Sequence, residues 1–130
     1  MHRLQIVKTK LKALRRRRKE ALYKYDWLLQ ARPKQLLPQG EWWVWMILAG
    51  RGFGKTRTGA ETLRYLIERK KIRHIGLIGQ TIQEVKSVMV EGESGLLSVF
   101  PPRNRPRYEK SRDRLVWENG ATATFYGGDH

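Results

Sequence analysis

The chain has no cysteine, few acids and no long hydrophobic run. Without cysteine it forms no disulfide and no thiolate metal site, which fits a reducing compartment. The longest apolar run, Trp42 to Ala49, is far too short to cross a bilayer. The basic N-terminus is not followed by the apolar stretch of a secretory signal. His2, His74 and His130 form no ligand spacing, so no metal site is indicated apart from magnesium carried with a nucleotide. A soluble, intracellular protein with no membrane partner is expected. Positive charge is what the chain has in excess. Its 27 Lys/Arg stand against 12 Asp/Glu, a net charge of +15 over 130 residues. Such a surplus favours an anionic partner such as nucleic acid.

The charge is concentrated at one end. Residues 1–24 hold ten Lys/Arg against Glu20 alone. Residues 8–31 read as a helix, with Leu11, Leu14, Leu22, Tyr25, Leu28 and Leu29 at roughly helical spacing. The run Arg15 to Lys19 interrupts that stripe. It is either a solvated helix face or a salt-sensitive contact to a phosphate backbone. Tyr23, Tyr25 and Trp27 share the leucine spacing and read as packing. Pro33 and Pro38 close the segment. A basic N-terminal helical segment, 1–31, thus precedes a main segment, 32–130.

The main segment alternates strand and helix. Trp43 to Ala49 reads as a buried strand, which would place Trp42, Trp43 and Trp45 in strand and core. Lys55 to Lys70 reads as a helix and Ile72 to Gly79 as a second strand. Thr81-Ile82-Gln83-Glu84 fits a capping box opening a helix to about Glu91. Arg114–Trp117 and Ala121–Tyr126 read as strands joined through Glu118-Asn119-Gly120, since Asn-Gly between apolar runs is a hairpin signal. The rhythm predicts an α/β fold, a parallel sheet with flanking helices and a C-terminal β-hairpin.

The first strand runs straight into Ala49-Gly50-Arg51-Gly52-Phe53-Gly54-Lys55-Thr56. This matches the phosphate-loop pattern G-x-x-x-x-G-K-[ST] at all but its first glycine, where Ala49 stands. Glycines let backbone N–H groups converge on a polyphosphate. Lys55 would reach the β- and γ-phosphates, and Thr56 would offer its hydroxyl to Mg2+. The start of the following helix adds its dipole. These eight residues predict binding of a nucleoside triphosphate. Arg51, inside the loop, is either a solvated arginine or a contact to phosphate or to a catalytic group. An acid after a second apolar strand would hold magnesium for hydrolysis. Here that strand ends in Gly79-Gln80, Glu118 belongs to a turn, and Asp129 follows two glycines. Nucleotide binding is therefore expected, with little or no turnover from these 130 residues alone. Steady hydrolysis would point to Glu91, Glu93 or Asp129.

The string Ala49-Gly-Arg-Gly-Phe-Gly-Lys-Thr-Arg-Thr-Gly-Ala-Glu61 resembles the Walker A region of the large terminase subunit, the DNA-packaging ATPase of tailed bacteriophages and prophages. Ala31-Arg-Pro-Lys-Gln-Leu-Leu-Pro38 resembles the segment preceding that ATPase core. Val88 to Leu97, Arg105 to Tyr108 and Arg114 to Ala121 resemble its connecting region. The resemblance implies a P-loop NTPase of the RecA-like (ASCE) class, ATP and Mg2+ as cofactors, and double-stranded DNA as the packaged substrate. It implies a homo-oligomeric ring, a portal protein and a small terminase subunit as partners, in the cytoplasm of a bacterial host. Arg51 matches the arginine thought to couple hydrolysis to movement. Gln35, with Arg32, matches the adenine-recognition segment, and a glutamine amide suits the N6/N7 edge of adenine. Gln35 reads alternatively as an ordinary polar residue between prolines. Against the family pattern the chain reads as an N-terminal fragment, without the Walker B strand and the nuclease domain, and with an open sheet edge prone to aggregation. The rival readings are a non-enzymatic basic DNA-binding fragment and another P-loop enzyme, such as a helicase or small kinase.

Overall fold

A computed structural model describes residues 2–128; Asp129 and His130, the former among the acids considered above, lie outside the described residues. The chain divides into two compact units, one up to Lys34 and one from Gln35 onward.

The first unit is helical. Helix α1, His2–Tyr25, buries none of its side chains. Asp26 then interrupts the helix, and its carboxylate accepts a hydrogen bond from the Leu28 amide at 3.1 Å, capping the short α2, Trp27–Gln30. The single helix expected over 8–31 is thus two. Asp is a strong N-cap, and its side chain competes with the helical ladder for the backbone. The aromatic packing expected here is absent for Tyr23, which is exposed along with Leu11, Leu14 and Leu22.

The second unit is mixed α/β. Helix α3, Lys55–Arg69, leads to strand β1, His74–Gly79. Helix α4, Ile82–Glu84, continues as a π-helical stretch, Val85–Val90. Thr81 caps it, accepting from the Glu84 amide at 3.0 Å, as the capping box predicts. Helix α5, Leu96–Val99, precedes strands β2, Arg107–Glu109, β3, Arg114–Val116, and β4, Thr122–Gly127. The sheet order is β1-β4-β3-β2. Only the β1–β4 pair is parallel; β4–β3 and β3–β2 are antiparallel. The sheet is thus mixed: the hairpin β3–β4 adds its antiparallel strands as expected, and the parallel pairing is that of β1 with β4. Gly120, at φ +92°, makes the turn that Asn119-Gly120 predicts. The Asn119 side chain accepts from the Ala121 amide at 3.0 Å.

The core lies on one face of this sheet. Leu77, Leu115, Ala123 and Phe125 point from the strands toward Ile67, Val85, Val90, Leu96 and Phe100. Strand β4 alternates buried Ala123 and Phe125 with less buried Thr122, Thr124 and Tyr126, the two-residue period of a sheet with one covered face.

The strand expected over Trp43–Ala49 does not form. The segment has no regular secondary structure, with Trp45, Ile47 and Ala49 half-buried and Val44, Met46 and Leu48 exposed. It keeps the period of a strand without a ladder. A strand is defined by its neighbour, and among the described residues β1 pairs only with β4. The tryptophans expected in the core are displaced with it. Trp43 is 100% exposed. Trp42 meets Trp45 edge-on at 6.3 Å and donates its indole N–H to the Pro38 carbonyl at 2.9 Å.

Candidate functional site

The glycine-rich loop is shaped by two residues that need positive φ. Gly52 sits at +87° and Gly54 at +90°. Residues that carry an L-configured Cβ are strained there, and glycine is not. The Phe53 amide donates to the Gly50 carbonyl at 3.3 Å, closing the turn. Gly54 then occupies the N-cap of α3, and no side chain caps that end. The first helical hydrogen bond is from the Thr58 amide to the Gly54 carbonyl, at 2.8 Å. The amides before it have no partner within the helix, as at every helix start. There is no acid in the first turn of α3. The result is a row of amides at the positive end of a dipole, with Lys55 and Arg57 beside it.

Lys55 is exposed and turns back over the loop. Its ammonium donates to the Ala49 carbonyl at 2.6 Å and lies 3.4 Å from that of Gly50. Thr56 is half-buried in the first turn, and Arg51 is exposed in the turn with Gly52. Gln35, only 6% exposed, stands on a 3-10 turn, Pro33–Gln35. Its amide nitrogen donates to the Phe53 carbonyl at 2.9 Å and to the Thr58 hydroxyl at 3.2 Å. The structure thus brings Gln35 to the loop. Arg32 is an exposed residue of the N-terminal unit.

Sequence reasoning missed two buried polar residues of α3, of which Thr58 holds the loop. Thr58 is fully buried and returns its hydroxyl to the Gly54 carbonyl at 2.8 Å. Glu61 is buried on the same face of α3, accepting from Arg57 at 3.0 Å with Arg64 at 3.8 Å. Burial pushes its carboxyl above the ordinary glutamate value, against the opposing pull of Arg57 and Arg64. Arg64 also donates to the Val99 carbonyl at 3.3 Å, tying α3 to α5. The signal available in sequence was spacing: Thr58 and Glu61 lie three apart, and so on one helix face.

An alanine at position 54 would place its Cβ 2.9 Å from the Gln35 amide nitrogen, on a backbone at φ +90°. Gly54→Ala is therefore expected to cost about 1–2 kcal/mol in urea unfolding. Gly50→Ala is the control. It meets nothing within 4 Å and has no positive φ, so it should stay near neutral.

Residues 46–130, well over half the chain, match the family described as "Terminase large subunit, T4likevirus-type, N-terminal". The chain belongs to this terminase family. The match takes in the loop, α3 and the whole sheet, and leaves Arg32, Gln35 and the basic helix outside it. No curated protein and no solved structure matches the chain. Among the described residues of this terminase chain, no group of three His, Cys, Asp or Glu is placed to hold a metal ion. No helix among them is long and apolar enough to cross a membrane.

Proposed function

We propose that the loop Ala49–Thr56 and the start of α3 bind the triphosphate of ATP with Mg2+, in a P-loop NTPase fold of the RecA-like class. The observation that carries the reading is the uncapped α3 start behind two positive-φ glycines, with the Lys55 ammonium held over the same turn. Backbone amides would take the phosphate oxygens, and Lys55 would exchange its carbonyl partners for the β- and γ-phosphates. Thr56 would offer its hydroxyl to magnesium, which keeps most of its ligands as water and phosphate oxygen. Arg51 is left in reach of solvent for a coupling or phosphate contact. Membership of the terminase family supports a role in phage DNA packaging. The full proposal is the ATP-binding part of the motor that drives double-stranded DNA into a procapsid. Its partners would be a portal protein, a small subunit and further copies in a ring.

Calorimetric titration tests the binding step. With Mg2+, ATP and inorganic triphosphate should both bind, and AMP should bind far more weakly. AMP binding as well as ATP would mean that the loop does not hold the phosphate tail.

Gln35 has a specific place in this reading. Both hydrogens of its amide are already directed at Phe53 and Thr58. We assign it to positioning the loop ahead of reading adenine. Gln35→Ala should weaken ATP and triphosphate alike, by about tenfold, the worth of one to two buried hydrogen bonds. A loss confined to ATP would return the side chain to the adenine edge.

A further inference from the structure

Helix α1 carries a pattern that the nucleotide site does not use. Leu4, Val7, Leu11 and Leu14 recur at alternating steps of three and four, the a and d positions of a heptad. Arg18 takes the next a position, and Ala21 and Tyr25 continue the seam. All four aliphatic side chains are exposed, from 48% at Leu11 to 68% at Leu4. The rows on either side of the seam are basic. Arg3, Lys10, Arg17 and Lys24 stand seven apart along one edge, the g row. Lys8 and Arg15 stand along the other, the e row, which Leu22 completes. Glu20, the acid in this helix, pairs with Arg16 at 3.0 Å on the outer face, away from the seam.

Each alternative occupant meets an obstacle. A second copy of the helix would set basic g residues against basic e residues, and like charges there oppose pairing. A duplex phosphate backbone suits the charges but gives the leucine seam nothing to bury. A bilayer surface calls for a broad apolar face, whereas this seam is narrow and holds Arg18 within it. A helix with apolar a and d positions and acidic e and g positions satisfies both features at once.

We infer that α1 is one half of a heterotypic coiled coil whose partner is an acidic amphipathic helix of another protein. The seam supplies burial, and the e and g rows select the partner and exclude self-pairing. This does not rest on the nucleotide site and would survive its failure.

The test uses the full chain and two synthetic helical probes at physiological ionic strength. Both carry glutamate at e and g; one has leucine at a and d, the other serine. Fluorescence anisotropy should show the leucine probe binding tenfold or more tightly, the least that burying one aliphatic side chain yields. Leu11→Gln/Leu14→Gln keeps a good helix former at both sites and should lose that advantage. Ile6→Gln, off the seam although 51% exposed, should keep it. Lys10→Glu/Arg17→Glu should weaken the leucine probe as well. Equal binding of the two probes would reduce α1 to a charge patch and overturn the inference. So would equal losses in the Ile6 and leucine variants. Binding only to duplex DNA or to phosphatidylserine vesicles, with neither probe captured, would also overturn it.

Discussion

Replacing Lys55 with alanine is expected to cost the chain about ten- to a hundredfold in affinity for Mg·ATP. A hydrogen bond to a charged group is worth roughly 1.5–3 kcal/mol, which spans that range. The side chain lies over the loop, on the Ala49 and Gly50 carbonyls, so its ammonium is already at the mouth of the turn. The loss should be as large for inorganic triphosphate, because the contact is to phosphate and not to base. Lys55→Arg should recover only part of it, since a planar guanidinium cannot sit as a compact charge in the turn. The α3 start and both positive-φ glycines remain in Lys55→Ala, so its urea unfolding should stay close to that of the parent. Calorimetry on the two variants, with duplex DNA binding as a separate readout, checks all of this. Unchanged ATP affinity with unchanged DNA binding would favour a basic DNA-binding chain with an inert glycine loop.

Phe100→Ala is expected to have the largest effect on stability, about 3–5 kcal/mol. Phe100 is fully buried and packs tilted against Trp117 with ring centroids 5.4 Å apart. It therefore joins the end of α5 to the hairpin that completes the sheet. Domains of this size are stable by only on the order of 5–14 kcal/mol, so the variant would sit near the edge of folding. Trp43→Ala removes a bigger side chain that is 100% exposed, and should change stability by no more than about 0.5 kcal/mol. Urea melts of the two variants would show the order opposite to that expected from residue size alone.

The contrast between Phe100 and Trp43 shows what could be read from sequence. Elements written in local chemistry were legible. Thr81 and Glu84 announce a capped helix, Asn119-Gly120 a hairpin turn, and Gly54-Lys55-Thr56 the start of α3. Elements that depend on distant partners were not. Trp43–Ala49 has the composition of a strand, but composition does not supply the neighbour a strand needs. Gln35 reaches Phe53 and Thr58 across a long stretch of chain, and no spacing rule links them. The π-helical stretch Val85–Val90 has no sequence mark that distinguishes it from an α-helix. The break at Asp26 is different: Asp before an apolar pair is a cap signal that the leucine periodicity overrode.

The most direct test of the central claim is amide NMR of the isotope-labelled chain during titration with Mg2+ and a non-hydrolysable ATP analogue. Phosphate held by the loop and the start of α3 predicts that the amides of Gly52, Gly54, Lys55 and Thr56 shift most and saturate together, while β2 stays unmoved. Loop amides that remain in place, with shifts confined to the basic helix His2–Tyr25, would contradict it.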